Sequence, residues 1–447
     1  MAQRRRRKAL PPQGSFELKI ESMTHDGRGV GRIDGKPVFV HGTLPGEDIS
    51  FEYTEVRRDF AEGRLLEVLT PVESRVVPAC DHYGVCGGCS FQHVQDAEQI
   101  RLKQGLLLDQ FQRIGKLDEF PVFDPLTGPS WGYRQKARLG VKYVAKKGKV
   151  LVGFRERSSP FITEIDCCPV LDPRVGSKLG SIADLIHGLS IRERLPQIEV
   201  ACSDQTVALV FRILEDLTGE DIERFNQFAR EEGFLVLLQR GGPDTVVPLK
   251  ADASVDLFYG VPEASVEFAF KATDFTQVNP AINQKMIARV MQLLDPKPTD
   301  VILDLFCGIG NFTLPLARKA KRVIGVEGSV EAVERARFNA ERNRLENATF
   351  HVADLSKSVD GEPWVNETFD KILLDPSRAG ALEILERIPG WHASRIVYVS
   401  CNPSTLARDA GVLVHDHGYR LQGAGVMDMF PQTAHVESLA LFEKDGL

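Results

Sequence analysis

The chain is 447 residues long, enough for about three domains of ordinary size. Its composition, 43% hydrophobic and 26% charged, is that of a folded globular protein and excludes a disordered or fibrous chain. No apolar run approaches the ~18 residues that a membrane helix needs, and the basic N-terminus lacks the apolar stretch of a secretory signal. We therefore expect a cytoplasmic protein with no membrane partner, and no obligate protein partner is evident.

Charge is distributed unevenly along the chain. The net charge is −7, yet residues 1–160 carry 26 basic and 20 acidic side chains, whereas residues 161–447 carry 29 and 42. The densest basic segment, residues 131–160, has nine Lys and Arg against one acid. Four aromatic residues interleave it: Trp131, Tyr133, Tyr143 and Phe154. Cations beside stackable rings are typical of single-stranded RNA binding, but a solvated face with core aromatic residues explains the segment about equally well.

The first part of the chain is predicted to be β-rich. Residues 1–14 form a basic tail that we expect to be disordered, and residues 15–70 contain five short strand-like segments separated by turn signals. Five strands in so short a stretch fit a small OB-like barrel. Gly27, Gly29 and Gly31 imitate a dinucleotide-binding fingerprint, but a strand is predicted after them instead of a helix. We therefore reject a nucleotide site there.

The rest of the chain divides into a mixed α+β middle part and an α/β end. Residues 71–270 combine strands with amphipathic helices. The first of these helices, residues 96–117, could pack on the C-terminal part of the chain, although most of the middle part separates the two in the sequence. From residue 271 onward, strands and helices alternate. This alternation predicts an open, largely parallel, Rossmann-like sheet with helices on both faces.

A glycine-rich turn follows the first strand of the α/β part. The sequence Asp304-Leu-Phe-Cys-Gly-Ile-Gly-Asn311 lacks the Lys-Ser/Thr of a triphosphate loop. Glu327 ends the next strand, where a carboxylate accepts hydrogen bonds from a ribose diol, and Asp354 follows the third strand. Together these residues predict an adenosine-type ligand, and the pattern D-x-F-x-G-x-G favours S-adenosylmethionine over a dinucleotide.

Three reactive side chains are predicted at one edge of this sheet. Cys401 directly follows an apolar strand, Asp375 follows the preceding strand, and Glu437 opens the last one. Burial as a packing residue is the usual role of a cysteine. The neighbouring acids favour a nucleophile instead, because a thiolate adds to C6 of a pyrimidine and makes C5 nucleophilic. A carboxylate base must then remove the C5 proton.

Five of the eight cysteines are clustered in the sequence. Cys80, Cys86 and Cys89 are followed about 80 residues later by Cys167 and Cys168. Three close cysteines and a distant fourth are typical of the ligands of zinc or of an iron–sulfur cluster, and the spacing does not distinguish the two. The absence of nearby paired histidines disfavours a zinc finger.

These motifs together resemble the S-adenosylmethionine-dependent uridine-C5 methyltransferases of RNA, over nearly the whole chain. Residues 304–311, 275–279 (Phe-Thr-Gln-Val-Asn) and 400–403 (Ser-Cys-Asn-Pro) match motifs of that family. The sequence Asp375-Pro-Ser-Arg departs from the D-P-P-R of many relatives by a small residue that the ribosomal RNA branch tolerates. The similarity is greatest to the branch that acts on 23S ribosomal RNA, in which residues 15–70 correspond to the RNA-binding TRAM domain.

The resemblance implies site residues and two cofactors. The residues implied around S-adenosylmethionine are Gln277, Phe306, Asn311, Glu327, Asp354 and Asp375. It implies that Cys401 is the nucleophile and Glu437 the base in forming 5-methyluridine through a covalent Cys–C6 adduct. The ligands implied for a [4Fe-4S] cluster are Cys80, Cys86, Cys89 and Cys168, the last preferred to Cys167 because it precedes a proline. The cluster would lie in a central domain, residues 71–270, and methyl transfer in a Rossmann-like domain, residues 271–447.

Three alternatives remain open at this point. The substrate could be a tRNA or another ribosomal RNA uridine, or the chain could be a non-catalytic RNA-binding assembly factor that retains a cofactor site. A radical enzyme is disfavoured, because it needs C-x3-C-x2-C and the spacing here is x5 and x2. A zinc ion in place of the cluster would leave the methyltransferase interpretation intact.

Overall fold

The computed structural model describes residues 11–251 and 254–444. Most of the predicted basic tail, residues 1–14, lies outside this part of the chain. Within the described ranges, no helix combines the length and the apolar character needed to cross a membrane.

Six strands near the N-terminus form a closed barrel. They are β1 (Phe16–Lys19), β2 (Ser22–Met23), β3 (Arg28–Ile33), β4 (Lys36–His41), β5 (Asp48–Val56) and β6 (Ala61–Thr70). Their hydrogen-bonded order is β1-β5-β6-β4-β3-β2. Because β1 and β2 are two parts of one segment, the pairing of β1 with β5 and of β2 with β3 joins the edges of the sheet. Val40, Ile49 and Phe51 are fully buried in the apolar core of the barrel.

The three glycines that imitate a nucleotide fingerprint are packing positions. Gly29 and Gly31 lie in β3, where a Cβ would come within 2.0 Å of Thr43 Oγ1 and within 2.3 Å of a backbone carbonyl oxygen, respectively. Gly27 has a φ of +81°, and its Cβ would lie 2.7 Å from the Cβ of Ala434. Close approach and a left-handed backbone therefore account for these glycines without a ligand.

The middle of the chain contains a six-stranded sheet and a two-stranded hairpin. The sheet strands are β7 (Lys136–Val144), β8 (Lys149–Gly153), β9 (Gln197–Cys202), β10 (Val207–Arg212), β11 (Phe234–Gln239) and β12 (Val246–Pro248). They pair in the order β12-β11-β10-β9-β7-β8. The hairpin consists of β13 (Asp256–Val261) and β14 (Val266–Lys271). The helices up to this point are α1 (Asp96–Gln110), α2 (Pro173–Gly176), α3 (Leu179–His187) and α4 (Gly219–Glu232).

A seven-stranded sheet forms the C-terminal part. Its strands are β15 (Val301–Leu305), β16 (Arg322–Glu327), β17 (Ala348–Val352), β18 (Lys371–Leu374), β19 (Arg395–Ser400), β20 (Arg420–Met427) and β21 (Glu437–Glu443). The helices are α5 (Pro280–Leu294), α6 (Thr313–Ala317), α7 (Val330–Arg342), α8 (Leu382–Leu385), α9 (Ile388–Trp391) and α10 (Pro403–Gly411). The strand order is β17-β16-β15-β18-β19-β21-β20, and β21 is antiparallel to both of its neighbours. The order reverses at β15 and β18, which opens a crevice at their carboxyl ends.

Helix α1 packs on the C-terminal sheet although it precedes the middle part in sequence. Ile100 and Leu107 belong to the same apolar core as Leu303 and Tyr398. The helix continues as a π-helical turn, Phe111–Gly115, which packs against α10. The predicted helix therefore exists, and its partner is the sheet that carries the candidate reactive residues.

We expect Leu107→Ala to lower the free energy of unfolding by about 2–5 kcal/mol, because it leaves a cavity at a fully buried position. Leu382→Ala, the same change at a side chain that is 38% exposed, is the control and should cost much less. Urea unfolding followed by circular dichroism measures both. Equal losses would contradict the placement of α1 in the core.

Candidate functional site

The turn after β15 bends the backbone sharply over the crevice. Phe306, Gly308 and Gly310 have φ values of +65°, +55° and +94°. The N–H groups of Phe306 and Cys307 donate to the carbonyl oxygen of Val326, at 2.8 and 3.1 Å, which ties the turn to β16. A Cβ at Gly308 would meet no atom within 4 Å. The backbone at Gly308 therefore faces open space at the carboxyl edge of the sheet.

Glu327 is fixed beside this turn. The Gly308 N–H donates to Glu327 Oε2 at 3.2 Å, and the Ser329 N–H donates to Oε1 at 3.0 Å. An ionised carboxylate has about four acceptor positions. Glu327 is therefore oriented by two backbone groups and retains acceptor capacity for hydroxyl groups of a ligand.

Two further polar residues flank the turn. Asp304 is fully buried, the Thr313 hydroxyl donates to its Oδ2, and its Oδ1 has no hydrogen-bond partner among the described residues. Burial raises the pKa of Asp304 to about 7. The amide of Asn311 exchanges two hydrogen bonds with Asn283, at 2.9 and 3.1 Å, and accepts one from the Tyr259 hydroxyl at 3.1 Å. Asn311 is thus held at the crevice by two other elements.

Asp354 and Gln277 are less constrained. Asp354 is exposed, and its carboxylate accepts hydrogen bonds from Ser356 and forms a 2.7 Å ion pair with Lys357. The hydrogen bond from Lys357, and then that from Ser356, lowers the Asp354 pKa to about 2. Gln277 is half-buried in the turn before α5, where Asn279 caps the helix. The polar contacts of Asp354 are therefore with its own loop.

The pairing of β19 with β21 places Cys401 across from Glu437. Ser400 is opposite Ser438 in the antiparallel register, and the Ser438 hydroxyl donates to the Ser400 carbonyl oxygen at 3.3 Å. Cys401 is the residue after Ser400, and Glu437 is the residue before Ser438. A nucleophile at a strand end and a carboxylate at a strand start therefore face each other at one edge of the sheet.

The thiol of Cys401 is protonated at neutral pH in the absence of a ligand. Burial, together with the charges of Glu437 and Asp375, raises its pKa to about 11, and Arg378 opposes the shift. Cys401 directly precedes α10, whose first turn is capped by Asn402. A helix N-terminus stabilises a thiolate, so α10 acts in the same direction as Arg378.

Asp375 shares this acidic environment. It is half-buried at the end of β18, and its N–H donates to the Leu305 carbonyl oxygen at 3.3 Å. Burial raises the pKa of Asp375 well above its ordinary value, and the charges of Glu437, Asp304 and Glu327 add to the effect. The crevice therefore concentrates carboxylates that repel one another.

His435 contacts the candidate base, although none of the sequence motifs includes it. Its Nε2 lies 3.1 Å from Glu437 Oε1, and its ring stands edge-on to Phe430 with 4.6 Å between centroids. In the sequence, only the two-residue separation of His435 and Glu437 points to this contact, because side chains two positions apart in an extended segment lie on the same face.

All five clustered cysteines line one pocket: Cys80, Cys86, Cys89, Cys167 and Cys168. Cys167 is exposed, whereas Cys168 is half-buried. Burial raises the pKa of Cys89 to about 12, and the charges of Cys168, Cys86 and Cys80 contribute to this increase. Across residues 11–251 and 254–444, no three His, Cys, Asp or Glu side chains have the geometry of ligands to one metal ion.

The rings of the basic segment, residues 131–160, take part in internal contacts. Tyr133 is 4% exposed and its hydroxyl donates to the Pro431 carbonyl oxygen at 2.9 Å. Phe154 packs under the Arg134 guanidinium, which lies 5.5 Å from the ring centroid. Tyr143 is covered in the same way by Arg192. Tyr133 is therefore unavailable for stacking, whereas Phe154 and Tyr143 are half-buried, each with an arginine over its ring.

Several cations of that segment are also engaged. Lys147 and Lys149 both form ion pairs with Glu164, and Arg138 pairs with Glu199 at 2.9 Å. Lys136 donates to the carbonyl oxygens of Ala272 and Asp274, just before the turn that contains Gln277, and burial lowers its pKa to about 8. Much of the predicted basic surface therefore stabilises the fold.

Comparison with known proteins agrees with this architecture. Residues 133–445 match the family "tRNA (Uracil-5-)-methyltransferase", and residues 15–66 match the TRAM domain. The crystal structure of Pyrococcus abyssi tRNA (uracil-54, C5)-methyltransferase in complex with S-adenosyl-L-homocysteine is similar in fold, with a TM-score of 0.75 and 24% identity. The match covers 96% of this chain and all of that one. The predicted fold class, a barrel and a mixed central part before a Rossmann-like methyltransferase domain, is confirmed.

Full-length relatives are much closer in sequence. The chain is 56% identical to the 23S rRNA (uracil(1939)-C(5))-methyltransferase RlmD of Methylococcus capsulatus, with 99% of this chain and all of the relative covered. It is 52% identical to the protein of the same name from Alkalilimnicola ehrlichii, with 99% of each covered. The chain therefore belongs to the S-adenosylmethionine-dependent RNA uracil-C5 methyltransferase family, within the group of the RlmD proteins.

Proposed function

We propose that this chain methylates C5 of one uridine in 23S ribosomal RNA, with S-adenosylmethionine as the methyl donor. The observation that carries the proposal is the opposition of Cys401 and Glu437 at the carboxyl edge of the sheet. The identity of 56% and 52% to full-length RlmD relatives supports the ribosomal RNA substrate. Modification of ribosomal RNA also agrees with the expected cytoplasmic location.

The crevice suits a cationic adenosine ligand. When bound, S-adenosylmethionine supplies an electrophilic methyl group on a sulfonium centre. Glu327 is oriented to accept hydrogen bonds from the ribose, and Asp375 lies among carboxylates whose mutual repulsion a cation relieves. The assignments of Gln277, Phe306, Asn311 and Asp354 rest on the matching motifs.

In the first half of the proposed reaction, Cys401 activates the uracil ring of the target uridine. Its thiolate forms a bond to C6 of the uracil, and the electron pair of the C5–C6 double bond moves towards C5 and the adjacent carbonyl. C5 would then take the methyl group as the bond from that methyl to the sulfonium sulfur breaks, which leaves a neutral thioether. The C5–C6 bond is then a single bond. Arg378 and the N-terminus of α10 favour the thiolate that this step requires.

In the second half, Glu437 removes the C5 proton. The electron pair of the C5–H bond re-forms the C5–C6 double bond, the C6–S bond breaks, and Cys401 leaves as a thiolate. His435, 3.1 Å from Glu437 and itself 22% exposed, lies between the base and solvent. It therefore offers a path along which the accepted proton leaves Glu437.

We propose that the three parts of the chain divide the work. Residues 15–70 bind RNA through the TRAM barrel, residues 71–270 carry the cysteine site, and residues 271–447 perform the methyl transfer. A cleft between the barrel and α1, lined among others by His25, Arg101 and Arg113, reaches Val436 beside the candidate base. Arg101 and Arg113 pair with Glu98 and Asp109 but stay largely exposed, so an RNA backbone that enters the cleft can reach their guanidinium groups.

We also propose a [4Fe-4S] cluster held by Cys80, Cys86, Cys89 and Cys168. Four cysteine thiolates in one pocket are the donor set of such a cluster, whose irons each take one sulfur. Each iron of such a cluster takes one cysteine sulfur, so the four sulfurs do not converge on a single ion. Cys168 is preferred to Cys167 because it is the more buried of the two.

The first prediction concerns substrate and catalytic residues. Wild-type protein should transfer label from S-adenosylmethionine to unmodified 23S ribosomal RNA and not to bulk tRNA. Cys401→Ala should bind RNA but lose turnover by at least about a thousandfold, because the covalent route is removed. Glu437→Gln should accumulate a covalent RNA–protein adduct. Mass spectrometry of digested RNA and denaturing gels measure both effects.

Each possible result of that experiment has a distinct meaning. Label in tRNA would keep the chemistry and overturn the substrate. Normal methylation by Cys401→Ala would overturn the nucleophile. No label in either RNA, with the cysteine site filled, would favour the non-catalytic assembly factor.

The second prediction concerns the pH dependence of the Cys401 thiol. Because its pKa is about 11 and only the thiolate reacts, alkylation by iodoacetamide should rise about tenfold per pH unit between pH 7 and 10. Glu437→Gln removes a negative charge that raises this pKa, so alkylation at pH 8 should become faster. Glu223→Gln on α4 is the remote control. Peptide mass spectrometry quantifies Cys401, and a rate that is flat with pH would contradict the shift.

The third prediction concerns the cysteine pocket. Anaerobically purified protein should contain about four irons and four sulfides per chain and show the visible absorption of a cluster. Cys168→Ala should lose both, whereas Cys167→Ala and the buried control Cys202→Ala should retain them. One zinc ion and no sulfide per chain would refute the cluster. Equal loss of iron and sulfide in Cys168→Ala and Cys167→Ala would refute the choice of Cys168 as the fourth ligand.

A further inference from the structure

The loop that delivers Glu437 is buried along most of its length. This base loop, residues 428–436, connects β20 to β21 and ends immediately before Glu437, the first residue of β21. Met429 is 1% exposed, Gln432 2% and Val436 4%. Connections between strands normally run over the surface. A buried connection needs partners for its backbone groups, and here they come from distant parts of the chain.

The segment that follows the third clustered cysteine binds the middle of the base loop. The N–H groups of Ser90 and Phe91 both donate to the Gln432 carbonyl oxygen at 2.9 Å. The Ala434 N–H donates to the Ser90 hydroxyl oxygen at 2.8 Å. Ser90 directly follows Cys89, so the cysteine segment is joined to the base loop by three hydrogen bonds.

Helix α1 binds the same residue of the loop from another side. Gln99 Oε1 accepts the Gln432 N–H at 2.9 Å, and Gln99 Nε2 donates to Gln432 Oε1 at 3.0 Å. Gln99 is 1% exposed. Gln432 has a φ of +65°, a left-handed conformation that a residue with a side chain adopts only when its surroundings compel it. The contacts from Gln99 and Ser90 supply that constraint.

One buried ion pair anchors the start of the loop. Lys103 Nζ donates to Asp428 Oδ1 at 2.7 Å and to the Phe430 carbonyl oxygen at 3.0 Å, and the Lys103 side chain is 1% exposed. The base loop is therefore held near its start by Lys103 and in its second half by Gln99 and Ser90.

We infer that Ser90 and Gln99 are positioning residues for the elimination half of the reaction, because they fix the loop that sets the place of Glu437. The inference rests on the proposed role of Glu437 as the base. A general base must lie within hydrogen-bond reach of the proton that it takes, so a small displacement of the loop slows proton removal. Cys401 follows β19 and precedes α10, and none of these contacts holds it. Its addition to C6 therefore does not depend on the base loop.

The test separates the two halves of the reaction in single turnovers with 23S ribosomal RNA transcript and labelled S-adenosylmethionine. Ser90→Ala removes only the hydroxyl acceptor of the Ala434 N–H. Gln99→Ala removes the two hydrogen bonds with Gln432 and also those to the Phe91 and Val94 carbonyl oxygens. Asn347→Ala is the matched control, because it removes two side-chain hydrogen bonds in the C-terminal part without touching the base loop. Glu437→Gln is the reference for a trapped adduct.

Ser90→Ala and Gln99→Ala, the two loop-contact variants, should keep RNA affinity and the rate of the first methyl transfer within about twofold of wild type. They should release methylated RNA at least about tenfold more slowly than wild type. The labelled covalent adduct should therefore accumulate on denaturing gels, as in Glu437→Gln. Ser90→Thr keeps the hydroxyl and should restore release. Asn347→Ala should release product at the wild-type rate.

The outcomes distinguish this inference from the function on which it rests. If Glu437→Gln traps no adduct, the base assignment fails and the inference with it. If Glu437→Gln traps the adduct but both loop variants release RNA normally, only the positioning role is overturned. A proportional loss of RNA binding, methyl transfer and release in both variants would show a general structural role and would overturn it equally.

Discussion

The antiparallel pairing of β19 with β21 is the contact on which the rest of the site depends. In the parallel part of the sheet, the carboxyl end of one strand lies beside the carboxyl end of the next. Here the end of β19 meets the beginning of β21, so that Cys401 and Glu437 come together from opposite strand termini. Because side chains alternate between the faces of a sheet, a shift of the register by one residue would turn Glu437 to the other face. The Ser400–Ser438 hydrogen bond fixes that register.

The second constraint is electrostatic. Asp304 and Asp375 are raised in pKa because their charged forms lose solvation and lie near other acids. A site that held only carboxylates would stay partly protonated, and a cation that enters it restores their charge. Asp375 and Glu437 also raise the pKa of Cys401, so a positive charge nearby lowers that pKa and favours the thiolate. The excess of carboxylates in the crevice therefore favours binding of the cationic methyl donor. Binding of that cation also favours the reactive thiolate of Cys401.

Regular and local features could be predicted from the sequence. The alternation of strands and helices after residue 271 could be predicted because apolar runs bounded by turns mark the strands. Helix α4 carries local signals of the same kind, since Thr218 and Asp221 form a capping box and Gly233 ends the helix. Whether the rings of residues 131–160 are available for stacking or packed inside the protein could not be decided from the sequence. Tyr133 shows why: its partner Pro431 lies 298 residues away, and no local pattern records such a contact.

Contacts between residues far apart in the sequence also explain why the motifs identify the residues implied at the ligand site but not the residues that position the catalytic loop. Gln99 and Gln432 are 333 positions apart, yet they are joined by two hydrogen bonds. The barrel reaches the same loop, because Gly27 leaves no room for a Cβ against Ala434 and Phe91. Barrel, cysteine segment and α1 therefore meet on the nine residues before Glu437. The barrel that we propose to bind RNA is therefore in direct contact with the loop that leads to Glu437.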